Sequence, residues 1–171
     1  TKADLGAVLA ERIAEAGNDG SAISWFVQNG ATTEEIVNNV RLMISGGINE
    51  PRDGIGLVAW LLLSEPSLAS AVDAEPTKMR RLIEEMFRVH SPVGTVTRQA
   101  TRDLEVAGGA IAKGDRVSGV LRSINLDESR WTNPDVIDLT RREGSHAAFA
   151  LGAHRCLGEW LGRQEIRVGV E

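Results

Sequence analysis

The spacing of apolar positions divides the chain into a helical first half and a mixed second half. Leu5, Val8, Leu9, Ile13 and Ala16 recur at helical spacing over residues 3–16, and the run from Gly17 to Gly20 breaks the stripe. A short helix is predicted over 22–27, ended by Gly30. Thr32 and Glu35 stand three apart, the signature of a capping box, so a new helix is expected to start there. Its stripe runs Ile36, Val40, Met43, Ile44, Gly47 and Ile48, and resumes at Ile55, Val58 and Leu62. One helix of roughly 30 residues is implied, against a mean of about 11–12 in globular proteins. Pro51 lies inside it, and its ring conflicts with the carbonyl of Gly47, which predicts a kink there. A short helix over 67–73 follows Pro66. Another is expected from near Pro76, a residue suited to a first turn, to about His90, where Pro92 closes it. His90 then lies where a cation complements the helix dipole.

Beyond Pro92 the period changes. Residues 96–98, 104–106 and 116–121 read as short strands, with Gly108-Gly109 as a tight hairpin turn. Residues 125–153 are rich in Asp, Asn, Pro, Gly and Arg and read as a long ordered loop, a length that usually accompanies function. A last helix is expected from near Cys156 to the end. The fold class is therefore α+β, mainly helical, with a small sheet segregated in sequence. The chain opens inside a helical stripe at Thr1, so a longer parent protein is expected.

Composition narrows the function classes. A net charge of −5 and a pI near 5.3 argue against nucleic acid, whose binding needs a clustered cationic surface. The longest apolar run, 57–63, falls far short of the roughly 18 residues of a membrane span. No basic stretch followed by an apolar core opens the chain, so no secretory leader is expected and a cytoplasmic location is. The single cysteine excludes an internal disulfide and, alone, cannot build an iron–sulfur cluster or a structural zinc site. A lone cysteine is most often a small buried hydrophobe, so its neighbours must carry any further case.

Those neighbours are Phe149-Ala150-Leu151-Gly152-Ala153-His154-Arg155-Cys156-Leu157-Gly158. At the mouth of a helix, free N–H groups and the dipole favour an anion, here the thiolate that binds metal. Gly152 permits a tight turn that brings backbone close to the sulfur, Gly158 lets the helix start lie against a flat ligand, and Phe149 can cover the sulfur. A zinc site from His146, His154 and Cys156 is the competing possibility, with a fourth ligand unassigned.

The pattern Phe149, Gly152, Cys156, Gly158 resembles the haem-ligand loop of the cytochrome P450 family, four fixed identities within ten residues. The resemblance implies haem b as cofactor with Cys156 as the iron ligand, and the thiolate's electron donation favours O–O cleavage. It extends to Glu85 and Arg88, which resemble the family's Glu-x-x-Arg motif with a structural role under the haem. The family often completes that network with an Arg or His in the loop, where this chain has Val136. By the same resemblance Arg98 and His154 bind the haem propionates, for which charge-assisted hydrogen bonds are apt. In the long helix, Ser45-Gly46-Gly47-Ile48-Asn49-Glu50-Pro51-Arg52-Asp53 occupies the family's oxygen-binding stretch. Asn49 holds the acid position and Glu50 the alcohol position. Gly47 lines the notch, and Glu50 is the candidate proton relay unless it pairs with Arg52 or Arg80. Ile44, Ile48, Val93, Gly94 and Thr95 are placed by the family pattern to face substrate, and their size implies a small, largely apolar organic molecule.

The resemblance covers essentially the whole chain as the C-terminal part (1–171) of a single haem-thiolate domain, with the N-terminal part absent. It implies a monooxygenase that uses O₂ and electrons from a ferredoxin or a flavin/iron–sulfur reductase. The Gly-Gly-x-Asn-Glu-Pro-Arg-Asp variant further resembles a bacterial subset with members that demethylate aromatic methyl ethers. Peroxide-driven oxygenation and a non-catalytic haem-thiolate sensor or carrier are the alternatives.

Overall fold

The computed structural model describes residues 2–171; Thr1 lies outside the described residues. The chain forms two compact units, residues 1–49 and 50–171. The first contains α1 (Lys2–Ala14), α2 (Ala22–Gln28) and the beginning of α3 (Thr33–Ser64). Ser21 caps α2 through its side chain, which accepts from Ser24 N at 3.1 Å. The capping box ahead of α3 is formed as expected. Glu35 N donates to Thr32 Oγ1 at 3.3 Å, and Thr32 N donates back to Glu35 Oε2 at 2.8 Å. Helix α3 spans 32 residues and stays helical through Pro51.

The second unit holds the rest of α3, then α4 (Pro66–Ala74), α5 (Lys78–His90), four short strands, α6 (Leu121–Asn125) and α7 (Glu159–Val170). Pro66 is itself the first residue of α4, and the chain bends by 100° between α3 and α4. Pro76 is not in the first turn of α5. It belongs to a turn in which Lys78 N and Met79 N bond back to the carbonyls of Glu75 and Pro76, and the α-helix begins only at Lys78.

Helix α5 is the centre of this unit. Met79, Leu82, Ile83, Met86, Phe87 and Val89 are buried along it, and most of them pack with Val58 and Leu61 of α3, Leu68 of α4 and Ile166 of α7. The α3–α7 crossing is close because Gly54 faces Ile166 and Gly169 faces Ile55. A Cβ on Gly54 would sit 2.4 Å from Ile166 Cδ1, and one on Gly169 would sit 2.5 Å from Ile55 Cδ1. Two glycines thus set how near α7, the helix after the cysteine loop, lies to α3.

The strands form two antiparallel pairs. β1 (Thr95–Gln99) pairs with β4 (Arg116–Val120), and β2 (Leu104–Val106) pairs with β3 (Gly109–Ile111). The hairpin turn is Ala107-Gly108, with φ of 49° and 80°, not Gly108-Gly109; Gly109 already belongs to β3. Positive φ at both central residues gives the twist that a two-residue hairpin needs. Leu121, expected to end a strand, instead opens α6, and its N–H bonds the Gly94 carbonyl at 2.9 Å. Among the described residues no single helix is long and apolar enough to cross a membrane.

Candidate functional site

The loop ending at the cysteine is built over α5. Phe149 packs on Phe87 with ring centroids 4.6 Å apart, and His146 lies against both rings. Ala148 N–H donates to His146 Nδ1 at 3.2 Å, which leaves Nε2 to donate to Glu84 Oε2 at 3.1 Å. Asn125, fully buried, accepts from Ala147 N at 2.6 Å and ties the loop to α6. The chain then turns sharply: Ala150 and Gly152 have φ of 56° and 75°, and a 3₁₀ turn spans Gly152–His154.

Cys156 follows as an exposed thiol whose N–H donates to the Phe149 carbonyl at 2.9 Å. The helix begins later than expected. Gly158 is the N-cap and α7 starts at Glu159, so the cysteine precedes the helix by one turn of irregular chain. Apart from their own chain neighbours, no atom of the described residues lies within 4 Å of where a Cβ would be at Gly152 or at Gly158, and Leu151 and Leu157 beside them are exposed. Open space flanked by apolar side chains beside a thiol fits a flat apolar ligand carrying a metal. The zinc alternative does not fit, because no group of three His, Cys, Asp or Glu side chains comes together among the described residues.

Beneath the loop lies a buried ion cluster. Arg88, 1% exposed, forms two bonds of 2.8 Å to the Glu85 carboxylate. Its remaining donors reach the carbonyls of Asn125 at 3.1 Å, Pro134 and Val136 at 2.9 Å. The pair expected from i, i+3 spacing is therefore the anchor of the long loop. Val136 takes part through its carbonyl. The third ionic partner is Arg141, whose Nε meets Glu85 Oε2 at 3.0 Å and whose other donors reach Thr132, Asn133, Val136 and Glu143. Burial pushes the Glu85 carboxyl up, but Arg88, the Asp138 N–H and Arg141 outweigh it and hold the group below the usual carboxylate range.

Val93, half-buried, and the exposed Gly94 lead into β1 at the exposed Thr95, and Arg98 stands exposed on the same strand, its Nη1 donating to the Thr97 carbonyl at 2.9 Å. His154 is exposed on the 3₁₀ turn. Among the described residues neither Arg98 nor His154 is matched to a carboxylate, so both are available to an acidic ligand group. His90 departs from the expectation of a dipole-complementing cation. Burial and the nearby Arg122 lower its pKa, which favours the neutral ring that meets Trp60 edge to face.

In the first unit, Ile44, Gly47, Ile48 and Asn49 are all exposed, and Asn49 Nδ2 donates to the Ser45 carbonyl at 3.3 Å. In the second, Arg52 pairs with Asp53 at 2.8 Å and not with Glu50. Among the described residues Glu50 Oε2 is buried and has no hydrogen-bond partner.

A family model for cytochrome P450 matches residues 77–171, more than half of the chain. The chain belongs to the cytochrome P450 family. It is 37% identical to cytochrome P450 CYP199A2 of Rhodopseudomonas palustris over 89% of its own length, and spans 37% of that protein. Among solved P450 structures it superposes with a TM-score of 0.91 on HmtN, a post-tailoring hydroxylase of himastatin biosynthesis, at 30% identity, covering 98% of this chain and 47% of that one. CYP109B1 from Bacillus subtilis gives 0.89 at 29% identity, covering 99% of this chain and 47% of that one. The P450 fold accounts for the long α3, the Glu85–Arg88 anchor and the cysteine loop as parts of one architecture, and the family implies a haem-iron cofactor.

Proposed function

We propose that the complete protein is a haem-thiolate monooxygenase of which this chain is the C-terminal part of a single domain. The observation that carries the reading is the cysteine loop: an exposed Cys156, its N–H fixed on the Phe149 carbonyl, beside open space at Gly152 and Gly158. Haem b held by Cys156, with Arg98 and His154 on its propionates, would supply reductive activation of O₂. Phe149 shields one side of the sulfur, and the Glu85–Arg88–Arg141 cluster keeps the loop rigid against α5.

The reaction consumes O₂, two electrons and two protons, turns a substrate C–H into C–OH, and releases one water. Protons are the task of α3. Among the described residues Glu50 keeps a buried oxygen without a partner, and Arg52 is engaged by Asp53, which suits a carboxyl that hands a proton onward. Asn49, in the acid position, can orient water but cannot supply a proton. Ile44, Gly47, Ile48, Val93, Gly94 and Thr95 are the substrate-facing set, and they favour a small, largely apolar molecule. Where that molecule is an aromatic methyl ether, hydroxylation of the methyl gives a hemiacetal that collapses, so the net reaction is O-demethylation. Electrons come one at a time from a ferredoxin or a flavin/iron–sulfur reductase, and the protein works in the cytoplasm.

The test is turnover of the complete protein under ¹⁸O₂ with reductant and reductase. One labelled atom in the product and substrate-dependent reductant consumption support the proposal. Turnover with hydrogen peroxide alone would move the assignment to a peroxide-driven oxygenase, the outcome that Asn49 favours. Haem binding without any consumption would move it to a sensor or carrier.

A further inference from the structure

Arg163 on α7 touches both the cysteine loop and α5. Its guanidinium lies over the Phe149 ring, 4.3 Å from the centroid, and over the exposed Trp160 ring at 5.2 Å. Two carboxylates hold it there. Glu84 on α5 accepts from Nε at 2.6 Å and from Nη2 at 3.1 Å, and Glu159 accepts from Nη1 at 3.1 Å. Burial pushes the Glu84 carboxyl up, yet His146 and Arg163 pull it down to about 2, so Glu84 is a fixed anion. Glu159, buried, is shared with Arg155, the residue before the cysteine, at 2.8 Å.

The consequences are geometric and electrostatic. A guanidinium over a ring face is attracted by the ring quadrupole and is worth more when desolvated, so Arg163 helps fix the Phe149 ring that also packs on Phe87. Phe149 in turn supplies the carbonyl that orients the Cys156 N–H. Arg163 also balances two carboxylates close to the cysteine loop, and uncompensated anions there would oppose adding an electron to the iron. Resting on the haem-thiolate reading above, we propose that Arg163 is a positioning residue that locks Phe149 over the ligand loop and, by neutralising Glu84 and Glu159, raises the reduction potential of the bound iron.

The test is spectroelectrochemical titration of the haem-loaded complete protein and of Arg163→Met, Arg163→Lys and Glu84→Gln. Arg163→Met should weaken reduction about tenfold, a fall of about 59 mV for a one-electron couple. Arg163→Lys keeps the charge and should stay within about twofold of wild type, or ~18 mV on the same scale. Glu84→Gln keeps the Arg163 charge with one carboxylate fewer and should raise the potential, which keeps the proposal testable where Arg163→Met fails to load haem. An unchanged potential in Arg163→Met, an equal fall in Arg163→Lys, or a fall in Glu84→Gln would overturn it. A wild type lacking a thiolate-type carbon monoxide spectrum would overturn the haem-thiolate reading itself, a separate failure visible before any variant is made.

Discussion

Replacing Arg141 by Met probes the anchor of the long loop. The Arg141 side chain is 6% exposed, and its five hydrogen bonds join Glu85 and Glu143 to the carbonyls of Thr132, Asn133 and Val136. Methionine fills comparable volume but donates nothing. Removing one partner of a buried ion pair costs about 3–5 kcal/mol when the other charge is left alone. Glu85 is not left alone, because Arg88 and the Asp138 N–H still serve it. Most of the lost bonds run to backbone carbonyls, at about 1.5–3 kcal/mol for a charged donor and less where water can replace it. The expected loss is therefore about 2–4 kcal/mol. Arg88→Met should cost more, about 4–5 kcal/mol, since it strips Glu85 of its bidentate partner and takes the Arg88 donor from the Asn125 and Pro134 carbonyls, while Val136 keeps its bond from Arg141. Urea denaturation of the complete protein, read as midpoint and slope together, measures both. A loss below about 0.5 kcal/mol for Arg141→Met, the size of an ordinary surface change, would refute the anchoring role. So would the reverse ranking of the two variants.

Ala150 holds a left-handed conformation that costs an L-residue roughly 1–2 kcal/mol, so Ala150→Gly should stabilise by about 0.5–1 kcal/mol after the added chain entropy, seen as a rise in the urea midpoint. Gly54→Val should destabilise by about 2–3 kcal/mol, since its Cβ would lie 2.4 Å from Ile166 Cδ1, a side chain packed in the core at 1% exposure; thermal unfolding is the measurement. Stability should also depend on acid. Glu84 and Glu85 are both held below 4.5 in the folded state, Glu84 at about 2. Depressed carboxylates stabilise above their unfolded pKa and lose that contribution as pH falls through the folded one. The urea midpoint should thus drop from pH 4.5 toward pH 2, less steeply in Glu84→Gln, and a midpoint that rises over that range would contradict the cluster.

The sequence was most informative where function or capping fixes local spacing. Thr32 and Glu35 announced the start of α3, the 3.6-residue stripe announced its length, and Glu85 and Arg88 announced a pair one turn apart. The cysteine loop was legible because four identities fall within ten residues. Arg141 was not legible, because it meets Glu85 from 56 residues away through an irregular loop with no period to read. Its only signal was one arginine among several in a polar stretch. Strand β3 was missed because Gly109-Ala110-Ile111 is three residues long and begins on glycine, and the hairpin turn was shifted by one residue for the same reason. Helix α7 starts three residues after Cys156 because a turn at Leu157 and the Gly158 cap intervene, geometry that spacing does not encode. The close approaches at Gly54 and Gly169 likewise appear only once α3 and α7 are packed.

The central claim is that Cys156 binds haem iron as a thiolate. The direct measurement is the absorption spectrum of the reduced, carbon monoxide-treated complete protein beside Cys156→Ser. A strongly red-shifted Soret band in the wild type, lost in the variant, is the predicted result. A histidine-type spectrum in the wild type, or the same red-shifted band in both proteins, would contradict it.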